Sequence, residues 1–118
     1  MIPQKYRLKK RSAFAATYKT GEVKHDGGIT LFCGRRKSNN SPTKIGFVVS
    51  KKIHKRAVKR NRIKRLMREC VRLYIKDRPD FDTGYISLVF VASSKLLDKN
   101  FMDIERSLKK IMGMITND

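Results

Sequence analysis

The stretch KRAVKRNRIKRLMREC, residues 55–70, contains eight Lys or Arg side chains and a single acid, Glu69. On a helix that turns about 100° per residue, its apolar side chains fall within one sector roughly 120° wide, which must be buried. Continued through the next turn, this apolar stripe consists of Ile63, Leu66, Met67, Cys70, Leu73 and Tyr74. We therefore predict a long amphipathic helix that ends near Arg78, because Pro79 disfavours helical geometry in the residue before it.

The opposite face of this helix is cationic, and Arg60 and Arg62 flank the apolar stripe. The residues of the cationic face are Asn61, Lys64, Arg65, Arg68, Arg72 and Lys76. Residues 51–72 hold eleven Lys or Arg and only one acid, so ion pairs within the helix cannot balance the charge. A face that is merely solvated usually carries charges of both signs, so this alternative is disfavoured here. Clustered guanidinium groups instead favour phosphate binding, because each donates paired hydrogen bonds to phosphate oxygens.

The whole chain is strongly basic, with 29 Lys and Arg against 10 Asp and Glu and a net charge of +19 over 118 residues. Such a charge destabilises the compact state by self-repulsion, which indicates an anionic partner. Residues 1–118 are predicted to form a single domain, because their length and a hydrophobic content of 40% suffice for one core. A membrane-surface helix is disfavoured, since its apolar face would enter lipid and could not cover a sheet. Nucleic acid is the expected partner.

The chain has neither a run of 18 apolar residues nor a signal-peptide pattern at its start, so we expect a cytoplasmic protein without a membrane partner. Cys33 and Cys70 lack the spacing of metal ligands and are expected to stay reduced and to pack in the core.

The other elements predict a small α+β sandwich. A first helix is expected to begin at Ser12, as its N-cap, and to stop before Gly21. The remaining predicted elements are a brief strand near Val23, strands at 29–33, 44–50 and 85–92, and a helix from Phe101 to Ile115. The order is α-β-β-β-α-β-α, with a βαβ unit across residues 44–92.

Catalytic motifs are missing from the sequence. The two histidines belong to no HExxH motif, and the chain has no cysteine pair, glycine-rich phosphate loop or carboxylate cluster for Mg²⁺. We therefore predict no catalytic or metal-binding residue on this chain. The aromatic residues Phe14, Tyr18 and Phe32 could pack in the core or stack on unpaired bases in a cleft, and their pattern leaves both roles open.

Two segments carry a family resemblance: VVSKK at 48–52 and RAVKRNRIKRLMRE at 56–69 resemble the signature of the protein subunit of bacterial ribonuclease P. LKKRSAFAATYKTG at 8–21 is similar to that family's first helix, so the resemblance covers essentially the whole chain. It implies a ribonucleoprotein endonuclease that hydrolyses precursor tRNA to remove the 5′ leader, with catalysis and Mg²⁺ in a large RNA subunit. It also implies a left-handed βαβ crossover, although about 98% of crossovers are right-handed.

The resemblance implies roles for particular residues, with the RNA subunit and precursor tRNA as partners and no obligate protein partner. The implied RNA-binding group is Lys51, Lys52, Arg56, Arg60, Asn61, Arg62, Lys64, Arg65 and Arg68. Phe14, Tyr18 and Phe32 would line a cleft for the single-stranded leader. The chain departs from the family where His54 and Lys55 occupy a loop that often contains Gly, and where Tyr18 replaces the commoner Phe.

Three other functions compete with this interpretation. A ribosomal or other structural RNA-binding protein would be equally basic and equally without catalytic groups. A nuclease acting alone would cleave RNA as the purified protein. A DNA-binding module is weaker still, because no helix-turn-helix or zinc finger is recognisable.

Overall fold

The elements follow the predicted order. The computed structural model describes residues 2–39, 41–78 and 81–115. Its helices and strands are α1 (Arg11–Tyr18), β1 (Glu22–Asp26), β2 (Ile29–Cys33), β3 (Lys44–Val48), α2 (Ala57–Lys76), β4 (Ser87–Ala92) and α3 (Phe101–Ile115). Two short 3₁₀ turns, Gln4–Tyr6 and Ser94–Asp98, precede α1 and α3. The α+β class and the brief strand around Val23 are thereby confirmed.

The four strands form one mixed sheet in the order β1-β2-β4-β3. β1 and β2 are an antiparallel hairpin whose two-residue turn consists of Gly27 and Gly28. Their φ angles of 56° and 91° lie in the region that side chains disfavour, which explains the glycine pair. β2 pairs with β4 antiparallel, and β3 pairs with β4 parallel, so β3-α2-β4 is the predicted βαβ unit. The left-handedness of its crossover stays a prediction.

One face of the sheet forms the main core. Leu31, Leu88 and Phe90 point from the central strands into this core and are fully buried. Helix α2 contributes Ile63, Met67, Cys70, Val71, Tyr74 and Ile75, and α3 contributes Ile104, Leu108, Ile111, Met112 and Ile115. The predicted stripe on α2 is thus correct in direction but too narrow, because Val71 and Ile75 are also buried. Leu66 and Leu73, by contrast, are only half-buried. Both cysteines are buried and free, as predicted.

Several predicted boundaries were wrong by a few residues. Helix α1 begins at Arg11, so Ser12 lies inside its first turn, and the capping residue is Lys10, which makes no side-chain cap bond. β3 ends at Val48 and β4 begins at Ser87. Helix α2 ends at Lys76, two residues before the predicted end; Pro79, on which that prediction rested, lies outside the described residues.

Helix α1 packs on the other face of the sheet through a buried polar contact. The hydroxyls of Thr17 and Ser87 lie 2.6 Å apart, and the Thr17 hydroxyl also lies 2.8 Å from the carbonyl of Ala13, to which it donates. The two residues are only 1% and 7% exposed. This pair ties α1 to β4 and so fixes the distance between the helix and the sheet.

We expect Thr17→Val to lower the free energy of unfolding by about 1–3 kcal/mol, because it leaves the Ser87 hydroxyl buried without this partner. The double variant Thr17→Val with Ser87→Ala should recover part of the loss, since both polar groups are then removed. Urea denaturation of the three proteins measures both effects. Equal stability of the parent and the single variant would show that the contact does not hold α1 in place.

Candidate nucleic-acid interface

The solvent side of α2 and the turn before it are rich in positive side chains, and we call this set the cationic ridge. It consists of Lys51, Lys52, Arg56, Asn61, Lys64, Arg65 and Arg68. All are exposed except Lys64, which is half-buried. Among the residues that the structure describes, none of these side chains belongs to an ion pair. The structure therefore places seven of the nine predicted RNA-binding residues on this side of the molecule, and the six that are cationic have no ion-pair partner among the described residues.

Arg60 and Arg62, the other two residues of that group, are braced against the backbone. Arg60 Nη1 donates to the carbonyl oxygens of His54 and Lys55 at 2.7 and 2.9 Å. Arg62 Nη2 donates to the carbonyl of Lys99 at 3.2 Å, which ties α2 to the segment before α3. A guanidinium has five N–H donors, so each side chain retains donors for a phosphate. Sequence periodicity gave no sign of these bracing contacts.

The loop that departs from the family pattern is ordered by its own side chains. His54 Nδ1 accepts a hydrogen bond from the backbone N–H of Arg56 at 3.0 Å. Together with the Arg60 contacts, this bond holds residues 54–56 at the start of α2 without a glycine. The loop therefore presents Lys55 to solvent next to Arg56, which belongs to the ridge.

Farther along α2 the positive charge is partly neutralised. Arg72 donates two hydrogen bonds to the carboxylate of Glu69, at 3.1 and 2.5 Å. These bonds lower the pKa of Glu69 below its usual range. Glu69, the only acid in residues 51–72, thus pairs with Arg72, which lies outside the ridge. Arg65 and Arg68 therefore stay unpaired among the described residues.

Beside the ridge, a groove of about 400 Å³ runs along the edge of β3; we call it the aromatic groove. Its walls include Arg7, Lys9, Phe14, Phe47, Lys64 and Arg68. A more open extension of about 330 Å³ shares three of these side chains and adds Arg11, Tyr18 and Val48. The ring of Phe14 lies directly on Gly46, where an added Cβ would come within 2.4 Å of it. Phe14 and Tyr18 therefore line a cleft between α1 and the sheet.

The third predicted aromatic residue, Phe32, takes a supporting position. Its ring packs edge-on against Tyr18, with centroids 4.9 Å apart, and it does not line the groove. Tyr18 is 38% exposed, and its partial burial raises its pKa. Sequence reasoning missed Phe47, which lines the groove and stacks on Phe90 at 5.6 Å. The run around Phe47 is too uniformly apolar for alternation to have revealed it.

The ridge and the groove are one surface, because Lys64 and Arg68 belong to both. Cations beside partly exposed aromatic rings suit single-stranded nucleic acid, whose phosphates bind the cations while its bases stack on the rings. In the described part of the chain, no group of three or more His, Cys, Asp or Glu side chains could hold a metal ion. Nor does any helix there combine the length and hydropathy that spanning a bilayer requires.

Comparison with known proteins agrees with this architecture. The family model for ribonuclease P matches residues 2–116. The ribonuclease P protein component of Synechococcus sp. (strain JA-2-3B'a(2-13)) is 31% identical over 114 residues, covering 95% of this chain and 83% of the relative. That of Clostridioides difficile (strain 630) is 36% identical over 107 residues, covering 89% and 87%.

Solved structures agree as well. The RNase P protein of Staphylococcus aureus superposes with a TM-score of 0.74 at 27% identity, covering 92% of this chain and 94% of that one. The RNase P protein of Thermotoga maritima gives the same TM-score at 22% identity, covering 94% and 98%, which supports the fold alone. The resemblance found in the sequence is therefore confirmed, and the chain belongs to the ribonuclease P protein family.

Proposed function

We propose that this chain is the protein subunit of a ribonuclease P ribonucleoprotein that removes the 5′ leader from precursor tRNA. In this proposal a large RNA subunit carries the catalysis, and the protein binds both that RNA and the leader. The observation that carries the proposal is the single surface on which cations of α2, without ion pairs among the described residues, adjoin an aromatic groove through Lys64 and Arg68.

The ridge would bind the catalytic RNA. Arg65 and Arg68 project from a helix whose other side is buried in the core, so the backbone that carries them is fixed before RNA arrives. Only their side chains then have to be ordered when they bind a phosphate. Neutralised phosphates repel each other less, which lets the catalytic RNA and its RNA substrate approach at ordinary salt.

The groove would hold the single-stranded leader. Phe14 and Phe47 offer ring surfaces for stacking, while Lys9, Lys64 and Arg68 offer charges for the leader's phosphates. Such contacts depend little on base identity, which suits a leader whose sequence differs from one precursor to another. Because mature tRNA has no leader, the groove would favour the substrate over the product.

Mg²⁺ belongs to the RNA subunit in this proposal. When bound there, it would stabilise the charge that develops during phosphodiester hydrolysis. The protein's part is to supply fixed positive charge near the RNA and thereby to lower the ion concentration at which the complex forms. No further protein partner is needed for these roles. We place the reaction in the cytoplasm, where free thiols such as those of Cys33 and Cys70 stay reduced.

Reconstitution at low Mg²⁺ tests the proposal. Cleavage of precursor tRNA by the catalytic RNA should be fast with this protein and slow without it, and the two rates should converge when Mg²⁺ is high. A structural RNA-binding protein of another kind would leave the low-Mg²⁺ rate unchanged, which would refute the proposal. Cleavage by the purified protein without RNA would instead show a nuclease acting alone.

A further inference from the structure

Strand β1 is an open edge of the sheet. Within the described residues it pairs with β2 on one side and with no strand on the other. The opposite edge, β3, is joined by the N-terminal segment, because Leu8 N–H donates to the carbonyl of Ile45 at 2.9 Å. An uncovered edge strand presents backbone donors and acceptors with which another strand can pair. The residues of β1 determine which strand fits there.

The backbone groups of Val23 and His25 point to this open edge. Strands β1 and β2 are joined by the two-residue turn of Gly27 and Gly28, so Asp26 exchanges backbone hydrogen bonds with its partner across the turn. The direction of these groups then alternates along β1. A strand that pairs antiparallel with the open edge therefore forms its hydrogen bonds with positions 23 and 25.

The charges of β1 complement a second copy of β1. When two copies pair antiparallel with Val23 opposite Val23, Lys24 of each copy lies opposite Glu22 of the other. Among the described residues, neither of these two charged side chains belongs to an ion pair. Oε2 of Glu22 accepts a hydrogen bond from the Tyr85 hydroxyl, which leaves Oε1 for the lysine of the other copy. Opposite charges on facing positions of two strands stabilise their pairing.

The same register also joins two apolar patches. Val23 is 36% exposed, although it is apolar. It lies opposite Phe32 on β2, whose ring packs against Tyr18 with centroids 4.9 Å apart. Since side chains alternate along a strand, Val23 lies on the face opposite the charged pair. Val23 of the second copy would therefore continue this apolar row across the edge.

The other symmetric registers fit less well. With Lys24 opposite Lys24, the two central cations repel each other, and Glu22 lies opposite Asp26. With His25 opposite His25, Lys24 does lie opposite Asp26, but Val23 lies against the turn of the other copy and gains no apolar partner. Only the register centred on Val23 is complementary on both faces.

We propose that the chain associates with a second copy of itself through the open edge of β1, in the antiparallel register that places Val23 opposite Val23. The two four-stranded sheets then form one continuous sheet. This inference does not depend on the proposed function, because β1 and the aromatic groove lie at opposite edges of the sheet.

A disulfide trap tests the register. Facing residues of a hydrogen-bonded antiparallel pair have Cα atoms about 5.5 Å apart, which suits a disulfide. Oxidation of the purified full chain should therefore convert Val23→Cys to a covalent dimer. His25→Cys is the matched control at another exposed position of β1, because its two copies would lie at least about 13 Å apart. The native thiols of Cys33 and Cys70 should not interfere, since both are buried and burial raises their pKa.

Charge reversal tests the ion pairs. Sedimentation equilibrium of the full chain without RNA, at about 0.3 M salt, should show a dimer of the parent, because a screening length of about 6 Å weakens repulsion between distant charges. Lys24→Glu and Glu22→Lys each create two like-charge pairs and should weaken dimerisation by about tenfold. An equimolar mixture of the two variants should recover the dimer, because every Glu of one copy then faces a Lys of the other.

A third variant controls for charge alone. Asp26→Lys changes the net charge as much as Glu22→Lys does, but position 26 has no facing residue in the proposed register, so this variant should dimerise like the parent. Because Glu22→Lys also removes the hydrogen bond from Tyr85, circular dichroism checks its fold. Lys24→Glu and the disulfide trap test the register without that change.

The outcomes that overturn the inference are specific. They are a parent that stays monomeric at millimolar concentration, Val23→Cys that crosslinks no faster than His25→Cys, and a mixture that dimerises no better than its components. A dimer abolished by Asp26→Lys would indicate the register centred on His25. A dimer that none of the variants changes would place the contact on another surface. Either result would also overturn the inference.

Discussion

Replacing Arg65 and Arg68 together by alanine is expected to weaken binding to the catalytic RNA at least about a hundredfold. A hydrogen bond to a charged group contributes about 1.5–3 kcal/mol, and both guanidinium groups are exposed and unpaired among the described residues. The fold should survive, because neither side chain belongs to the buried face of α2. Equilibrium binding of protein to RNA without substrate measures the loss, and circular dichroism checks the helix.

The same helix offers a control for this experiment. Glu69→Gln with Arg72→Gln removes an acid and a base that neutralise each other, so the net charge of α2 is unchanged. This control should bind almost like the parent. The log-log salt slope should fall by about 1.8 for the Arg65 and Arg68 variant, at about 0.9 per neutralised phosphate, and stay constant for the control. Parent-like affinity of the Arg65 and Arg68 variant would place the RNA elsewhere.

Periodicity predicted the orientation of α2 because its period is a local property of the chain. The extent of its buried face was not predictable in this way. The predicted apolar stripe is wide enough for packing against one neighbouring element. Helix α2 contacts β3 on one side and α3 on another, so Val71 and Ile75 are buried as well. The width of the buried face of α2 depends on where α3 lies. The position of α3 in turn depends on contacts between residues distant in sequence, so a local pattern could not predict that width.

The start of α1 shows tertiary structure prevailing over a local preference. Ser12 is a good N-cap by type, and such a cap contributes about 1 kcal/mol. The N-terminal segment, however, is held to the edge of β3 by the bond from Leu8 to Ile45, and the helix begins three residues later, at Arg11. The pairing of the segment with a strand almost forty residues away therefore sets the start of the helix.

The sequence predicted which cationic residues belong to the candidate site, but not the contacts that arrange them or every residue that lines the groove. The excess of Arg over acid in one segment is visible in the sequence and predicts a phosphate-binding surface. The bracing roles of Arg60 and Arg62 depend on where the carbonyls of Lys55 and Lys99 lie after folding. The position of Phe47 in the groove depends on how the fold places the edge of β3 beside α1 and α2, which the local sequence pattern does not show.

Replacing Phe14 by alanine is expected to weaken holoenzyme affinity for precursor tRNA by about fivefold to a hundredfold while leaving affinity for mature tRNA unchanged. Stacking of one base on an aromatic side chain contributes about 1–3 kcal/mol, and only the precursor has leader bases to stack. Phe14 is half-buried, with its ring on Gly46 and facing the groove, so its removal takes away a stacking surface in the groove.

Two controls separate stacking from packing. Phe14→Leu keeps apolar volume on Gly46 without an aromatic ring, so it should be nearly as defective as Phe14→Ala in leader binding and closer to the parent in stability. Phe101→Ala removes a half-buried ring that packs against the core at the start of α3, outside the groove. It should lower stability and leave the preference for precursor over mature tRNA intact. Because a structural defect acts on every ligand, equal losses for precursor and mature tRNA in the Phe14 variants would assign that ring to packing, and the leader would have to bind elsewhere.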